Sequence, residues 1–250
     1  MNLANMFGPQ PKFGRVIQPD PRDGLYQASA RLRAAEIETP PPYKYWHIPQ
    51  VTDQGYTSHC VGFGCGYLLE AGPVTNDVFN SAAAAADYCG EIYRQAQLRD
   101  DWDGEEPLYY GTSVRAGLQV IQDRGFIKSY RWGWDLDTII GWLGAKGPVV
   151  MGTDWYEGMW GDSGVSARTG FVEATGRIIG GHCWMIRGYN LERKCPDGSR
   201  GAVRLVNSWG DEWMQGGYAW LSLATLTHLL DGWAEAAMCD EIKFLESDQP

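Results

Sequence analysis

Three short segments carry residue types that together can perform acyl transfer. The first is Asp53-Gln54-Gly55-Tyr56-Thr57-Ser58-His59-Cys60. Phe63, Gly64, Tyr67 and Leu68 follow at helical spacing, so Cys60 is expected at a helix N-terminus, where the helix dipole favours a thiolate. The thiolate is the form that attacks a carbonyl carbon. Gln54 lies six positions upstream, and its side-chain amide can reach back to the carbonyl oxygen under attack, beside the Cys60 N–H. The second segment is Gly180-Gly181-His182-Cys183-Trp184-Met185-Ile186-Arg187-Gly188-Tyr189. A histidine opening a strand can take the thiol proton and later return one to the leaving amine. The third is Val203-Arg204-Leu205-Val206-Asn207-Ser208-Trp209-Gly210, continuing to Trp213 and Gly217-Tyr218. An Asn207 amide oxygen accepting from the imidazole fixes its tautomer, and Trp209 can keep water from that bond. Each segment alone has an ordinary structural reading: a cysteine before an apolar helix, a buried hydrogen-bonded histidine, a turn asparagine with a core tryptophan.

The elements that would position these groups are legible in outline. After the helix from Cys60, Asn76 can cap a second helix running through Ala82–Ala86 to Tyr93, and Thr112 a third that stops at Gly125. A fourth is expected over Leu136–Ala145, ended by Gly147-Pro148. Strands are expected at Val149–Thr153, Cys183–Tyr189, Val203–Val206, Tyr218–Leu221 and Ala236–Phe244, with a short helix at Leu223–Leu230. Helices first and strands second predict an α+β arrangement of two lobes, helical then antiparallel and β-rich, with a cleft between them.

Residues 1–42 differ from the rest. Pro9, Pro11, Pro19, Pro21 and Pro40-Pro41-Pro42 interrupt them, leaving one helical stretch at about Gln27–Ile37. This Pro-rich arm precedes a domain spanning 43–250. It has two possible placements: through the cleft beside Cys60, or outside the body or against a neighbouring subunit. The stiff triple proline favours the outside placement.

The 250 residues carry 31 acidic and 21 basic side chains, a formal charge of −10. Such a chain gains little from a phosphate backbone or an anionic bilayer, so neither nucleic acid nor membrane is expected as partner. No segment approaches a membrane span and the N-terminus has no apolar signal core, which points to the cytoplasm, with a virion as the other setting. The six cysteines form no CxxC pair and are expected to be reduced and mostly buried. The four histidines (His47, His59, His182, His228) show no ligand spacing, so no metal or other cofactor is expected. Trp132, Trp134, Trp142, Trp155 and Trp160 cluster in sequence, and core packing is the first expectation for them, with an aromatic platform as the alternative.

Taken together, the three segments resemble the papain-like cysteine peptidases. That family places Gln-Gly before the nucleophile, a histidine before a strand ending in Gly-Tyr, and then Asn-Ser-Trp-Gly followed by Trp and Gly-Tyr. Cys60 is followed by His182 after 122 positions (182 − 60) and by Asn207 after 147 (207 − 60), against about 130–150 in the family. The resemblance covers roughly residues 43–246 and implies a peptidase acting on peptide or protein substrates through a Cys60 thioester. His182 would be the base, Asn207 its orienter and Gln54 an oxyanion donor. An amidase or cell-wall peptide hydrolase using the same residues, or a binding module of a larger assembly, are the alternatives. The sequence departs from the family at Thr57, where a disulfide cysteine is usual, and at Val61, where tryptophan is common. His59 replaces a small residue; it can tune the thiolate or narrow the cleft, and pointing to solvent is the simpler expectation. The Gly-rich wall that usually lines the cleft is not recognisable near Tyr109–Thr112.

Overall fold

The computed structural model describes residues 12–74, 81–161, 164–240 and 242. Its centre is helix α2, Cys60–Glu70, every residue of which is buried. Glycine-rich and without a polar face, this segment is a poor helix by propensity; it is helical because it is enclosed on all sides. The glycines admit its neighbours: a Cβ on Gly62 would lie 2.0 Å from the Cys89 carbonyl, and one on Gly64 2.6 Å from the Cys183 Sγ.

Helices α3 (Ala82–Gln97) and α4 (Val114–Asp123) flank α2. Ser81 caps α3 and Ser113 caps α4, each accepting from the backbone N–H three residues on. The cap of α4 is therefore one residue later than the Thr112 expected from sequence, while Asn76 lies outside the described residues. Gly125, at φ +81°, closes α4 with bonds from Gly125 N to Gln122 O and from Phe126 N to Ile121 O. That is the paired bonding of a Schellman turn, which favours glycine at its left-handed position. Helix α5 (Leu136–Ala145) follows the expected bounds, capped by Asp135.

The β-rich part is one antiparallel sheet in the order β2-β7-β3-β4-β5-β6, with β1 also pairing β4. Its strands are β1 (Tyr43–Tyr45), β2 (Ser129–Trp132), β3 (Val149–Tyr156), β4 (Ile178–Lys194), β5 (Arg200–Val206), β6 (Tyr218–Ser222) and β7 (Glu235–Asp240). Alternation sorts the strand residues between two cores. Val150, Cys183, Met185, Val206 and Ala237 join the core around α2. Val149, Met151, Trp184, Ile186, Leu205 and Met238 join the other, with α5 and helix α7 (Leu223–Leu230). A short helix, α6 (Gly164–Thr169), follows β3. No helix among the described residues is long and apolar enough to cross a membrane.

The single helix expected near Gln27–Ile37 is broken. A 3-10 turn covers Ala28–Arg31 and a short helix α1 covers Ala34–Glu38, with Leu32 extended between them. Leu32 packs on the second core and the Glu36 carbonyl closes on Gly141 of α5, so the chain bends to follow the body instead of continuing straight.

Candidate active site

Cys60 is the first residue of α2, at the helix end whose N–H groups have no intrahelical partner. His182 stands on β4, paired across the sheet with Thr153 of β3. Asn207 follows the last residue of β5, its backbone N–H bonded to the Gly217 carbonyl. The sheet brings the two together: His182 Nε2 and Asn207 Oδ1 are 2.8 Å apart. The Ser208 N–H donates to the same Oδ1 at 2.8 Å, which leaves the imidazole nitrogen as donor. The other ring nitrogen, Nδ1, is buried without a well-formed hydrogen bond, and the backbone of Lys12 faces the ring. Cys60 shares this cleft, its sulfur beside the backbone N–H of Cys183, the residue after His182. Tyr67, two turns along α2, donates to the Asn207 carbonyl at 3.1 Å and ties Cys60's helix to Asn207.

Gln54 is held at the cleft edge. Its Oε1 accepts from the Ser208 hydroxyl at 2.6 Å and its Nε2 donates to the Thr57 carbonyl at 2.8 Å. Trp209 lies over the His–Asn pair, its ring 5.0 Å from the imidazole. Trp155 meets the same imidazole edge-on at 4.8 Å, and Trp160 and Trp213 complete an aromatic cage around Trp209. Three of the five clustered tryptophans, Trp132, Trp142 and Trp155, are fully buried, whereas Trp134 is exposed. The position of Trp155 beside His182, and of Trp160 behind Trp209, was not visible in sequence; the one available signal was the alternation of β3, which sends Trp155 to the same face as Thr153.

His59 does not point to solvent. Its side chain is 18% exposed and stacks on Tyr93 at 4.3 Å. Burial, with the nearby Arg94 charge, lowers its pKa to about 4, so Glu106 at 3.7 Å faces a neutral ring. The aromatic face of Tyr93 offers a better seat than water for that neutral imidazole.

The N-terminal arm lies along the body over part of its length, as expected, but it does not leave the cleft open. Residues 12–16 run through the cleft over Cys60 and His182. Lys12 N donates to Thr57 O, Gly14 N and Arg15 N to Gly181 O, Val16 N to Thr112 O, and Thr112 N to Gly14 O, all at 2.8–3.1 Å. The Phe13 ring sits edge-on to His182 and Trp209 at 5.8 and 5.9 Å. Three glycines allow this closeness. A Cβ on Gly14 would lie 2.0 Å from Ser58 O, one on Gly111 2.5 Å from Gly14 O, and one on Gly181 2.2 Å from Arg15 O. Gly111 and Thr112 thus form the cleft wall that sequence did not reveal, with Arg15 and Thr112 paired as in a parallel bridge. Beyond the cleft the arm wraps the body: Asp23 pairs with Arg115 at 2.5 Å, Tyr26 O accepts from Trp132 N, and Pro41 O accepts from the Tyr189 hydroxyl.

Under the arm, Cys60, His182 and Asn207 have no exposed surface. Burial pushes the Cys60 thiol up to about 12, against the pull of the Cys183, Val61 and Gly14 backbones and the Arg15 charge. Burial likewise lowers His182 to about 4, opposed by its bond to Asn207 and by the Lys12 backbone. The pair is a neutral thiol and a neutral imidazole in this arrangement. Opening the cleft to water removes the desolvation that keeps both uncharged.

The six cysteines are all free. No protein-family model and no curated protein matches the sequence. Solved structures do match. A cysteine protease from Xylella fastidiosa, xylellain, superposes with a TM-score of 0.67 at 16% identity, covering 95% of this chain and 98% of its own. Recombinant stem bromelain precursor gives 0.57 at 12% identity, over 94% of this chain and 78% of its own. Procathepsin L 3 of the Tenebrio molitor larval midgut gives 0.54 at 13% identity, over 80% and 70%. With its helical part followed by its β-rich part, the chain has the fold of the papain-like cysteine proteases.

Proposed function

We propose that this protein is a cysteine peptidase whose cleft is covered by its own N-terminal segment. The observation that carries the reading is the 2.8 Å His182–Asn207 bond beside a cysteine at a helix N-terminus, with the second imidazole nitrogen facing only the backbone of the arm. In the open form the Cys60 thiol gives its proton to His182 Nδ1 and the thiolate attacks the substrate carbonyl carbon. The Cys60 N–H and the Gln54 amide hold the resulting oxyanion. The tetrahedral adduct collapses, the C–N bond breaks, and the amine leaves with the proton from His182. Water, deprotonated by the same imidazole, then hydrolyses the Cys60 thioester and restores the thiol.

A peptide as substrate is supported by the cleft's present occupant, a backbone docked on both walls through Gly181 and Thr112. The free cysteines suit a reducing compartment. The second reading, a binding module of a larger assembly, draws on the complete burial of Cys60 and His182. A thiol-trapping epoxide separates the two. A peptidase labels at Cys60 and loses hydrolysis of a fluorogenic peptide in step, and Cys60→Ala abolishes hydrolysis while leaving the fold intact. Absence of hydrolysis in full-length chains whose arm has been released would sink the peptidase reading.

A further inference from the structure

The arm does more than cover the cleft: it places one charged side chain in a pocket beside the nucleophile. Arg15 is buried, its side chain 1% exposed. Its Nε donates to Glu235 Oε2 at 2.8 Å, one terminal nitrogen bonds to the Trp233 carbonyl, and the other stands 3.8 Å from Asp154. That last nitrogen makes no hydrogen bond. Glu235 itself is only 12% exposed.

The room for the guanidinium comes from the sheet. Gly152 of β3 pairs directly with Glu235 of β7. A Cβ on Gly152 would lie 2.6 Å from Val114 Cγ2, 2.8 Å from Glu235 Oε2 and 3.1 Å from Arg15 Nε. Any larger residue there would fill the pocket. Its walls are therefore a glycine, a valine methyl, two carboxylates and a backbone carbonyl that can only accept. An apolar side chain in this space would leave the buried Glu235 without its hydrogen-bonded cation, with only the longer-range Arg115 charge to offset its desolvation, a costly arrangement.

We propose that this pocket is a specificity pocket for cationic side chains, so that the enzyme cleaves peptides with Arg or Lys within two residues of the scissile bond. Arg15 is the internal occupant that such a substrate replaces. The position follows from the arm's register. Gly14, adjacent to Arg15, lies against both Ser58, two residues before the nucleophile, and Gly181, next to the base. The inference rests on the peptidase reading for its substrate, and on the pocket alone for its charge preference. The competing view is that the Arg15–Glu235 pair only anchors the arm.

The test uses the full-length chain with Arg15→Ala, which empties the pocket; Arg15→Met, which keeps the stem's packing, serves if that chain does not fold. Quenched fluorogenic peptides differ only in carrying Arg, Lys, norleucine or Glu at each of the two positions on either side of the bond. Arg or Lys at one of these positions should raise kcat/KM about tenfold or more over norleucine, the scale of a desolvated charge pair. Adding Glu235→Gln should erase most of that ratio. In parallel, a labelled peptide of the sequence Lys-Phe-Gly-Arg-Val-Ile-Gln and its norleucine counterpart are titrated against the full-length Cys60→Ala, Arg15→Ala chain by anisotropy. The arginine peptide should bind about tenfold tighter. Equal binding, or hydrolysis indifferent to the basic residue, overturns the pocket assignment and favours the anchor view. Selective binding with no hydrolysis by any chain retaining Cys60 supports the pocket and sinks the peptidase reading instead.

Discussion

Gly14→Ala should open the cleft. The added methyl would begin 2.0 Å from the Ser58 carbonyl oxygen and 2.7 Å from its carbon, both backbone atoms of the segment leading into α2. Ordinary contact begins at 3.4 Å, so the arm must retreat by at least 1.4 Å (3.4 − 2.0). No side-chain rotation can absorb that. A shift of this size breaks the bonds from Gly14 N to Gly181 O and from Thr112 N to Gly14 O, and carries Phe13 off the His182 ring. Overpacking of this kind costs about 1–3 kcal/mol, which moves the closed-to-open ratio about 5- to 150-fold. The readout is the rate at which a small epoxide alkylates Cys60. While the open fraction is small, that rate scales directly with it. Hydrolysis of a fluorogenic peptide should rise in parallel. Gly24→Ala is the control: it lies in the same arm, with nothing within 4 Å of the added methyl. If Gly14→Ala labels no faster than Gly24→Ala, the segment over Cys60 does not limit access and the reasoning fails.

Other outcomes follow from the same geometry. Asn207→Ala frees the imidazole from its orienting bond, and kcat/KM in an arm-released background should drop about 100-fold without reaching zero. Gln54→Ala should cost about 10²- to 10³-fold in kcat, measured on the same peptide. On acidification, His59 and His182, both held near 4 in the fold, bind protons less readily than in the unfolded chain, where they titrate near 6.5. Their contribution to stability is thus complete above pH 6.5 and is lost as pH falls toward 4, by up to about 1.4 kcal/mol per pH unit for each. Denaturant titrations at pH 7, 6 and 5 should show this slope, and His59→Gln should reduce it; an unchanged slope would mean that His59 is not held neutral. Intact-mass measurement without reductant should find six thiols and no bridge between Cys60 and Cys65.

What could be read in advance divides along physical lines. Helices α5 and α7 and the main strands announced themselves because their burial pattern has a local period, 3.6 or 2 residues, that any short window contains. The Asn207–Trp209 block was legible through its match to the Asn-Ser-Trp-Gly of the papain-like family, since a turn asparagine beside a core tryptophan is ordinary on its own. Strand β2, Ser129–Trp132, was missed since its burial does not alternate. His59 was misplaced because a histidine's surroundings depend on a ring 34 positions away (93 − 59) at Tyr93. The path of the arm was hidden most completely. It is set by glycines at 14, 111 and 181, each unremarkable in its own window, which meet only after the chain has folded.

The arm's seat and the proposed catalytic site share residues. Trp155 and Trp209 border the His182 ring, and Trp160 and Trp209 receive the Phe13 ring. Gly181 immediately precedes His182 on β4 and accepts two of the arm's backbone bonds. Glu235 lines the pocket beside Cys60 and pairs with Arg15. The segment therefore covers the site through contacts at the places an extended peptide would use. Its grip and the site's affinity for peptides cannot be tuned separately. A substitution that weakens the arm by altering the cleft walls at Gly181, Thr112 or Glu235 should weaken substrate binding as well, whereas one made in the arm, at Phe13, Gly14 or Arg15, should release the site without that loss.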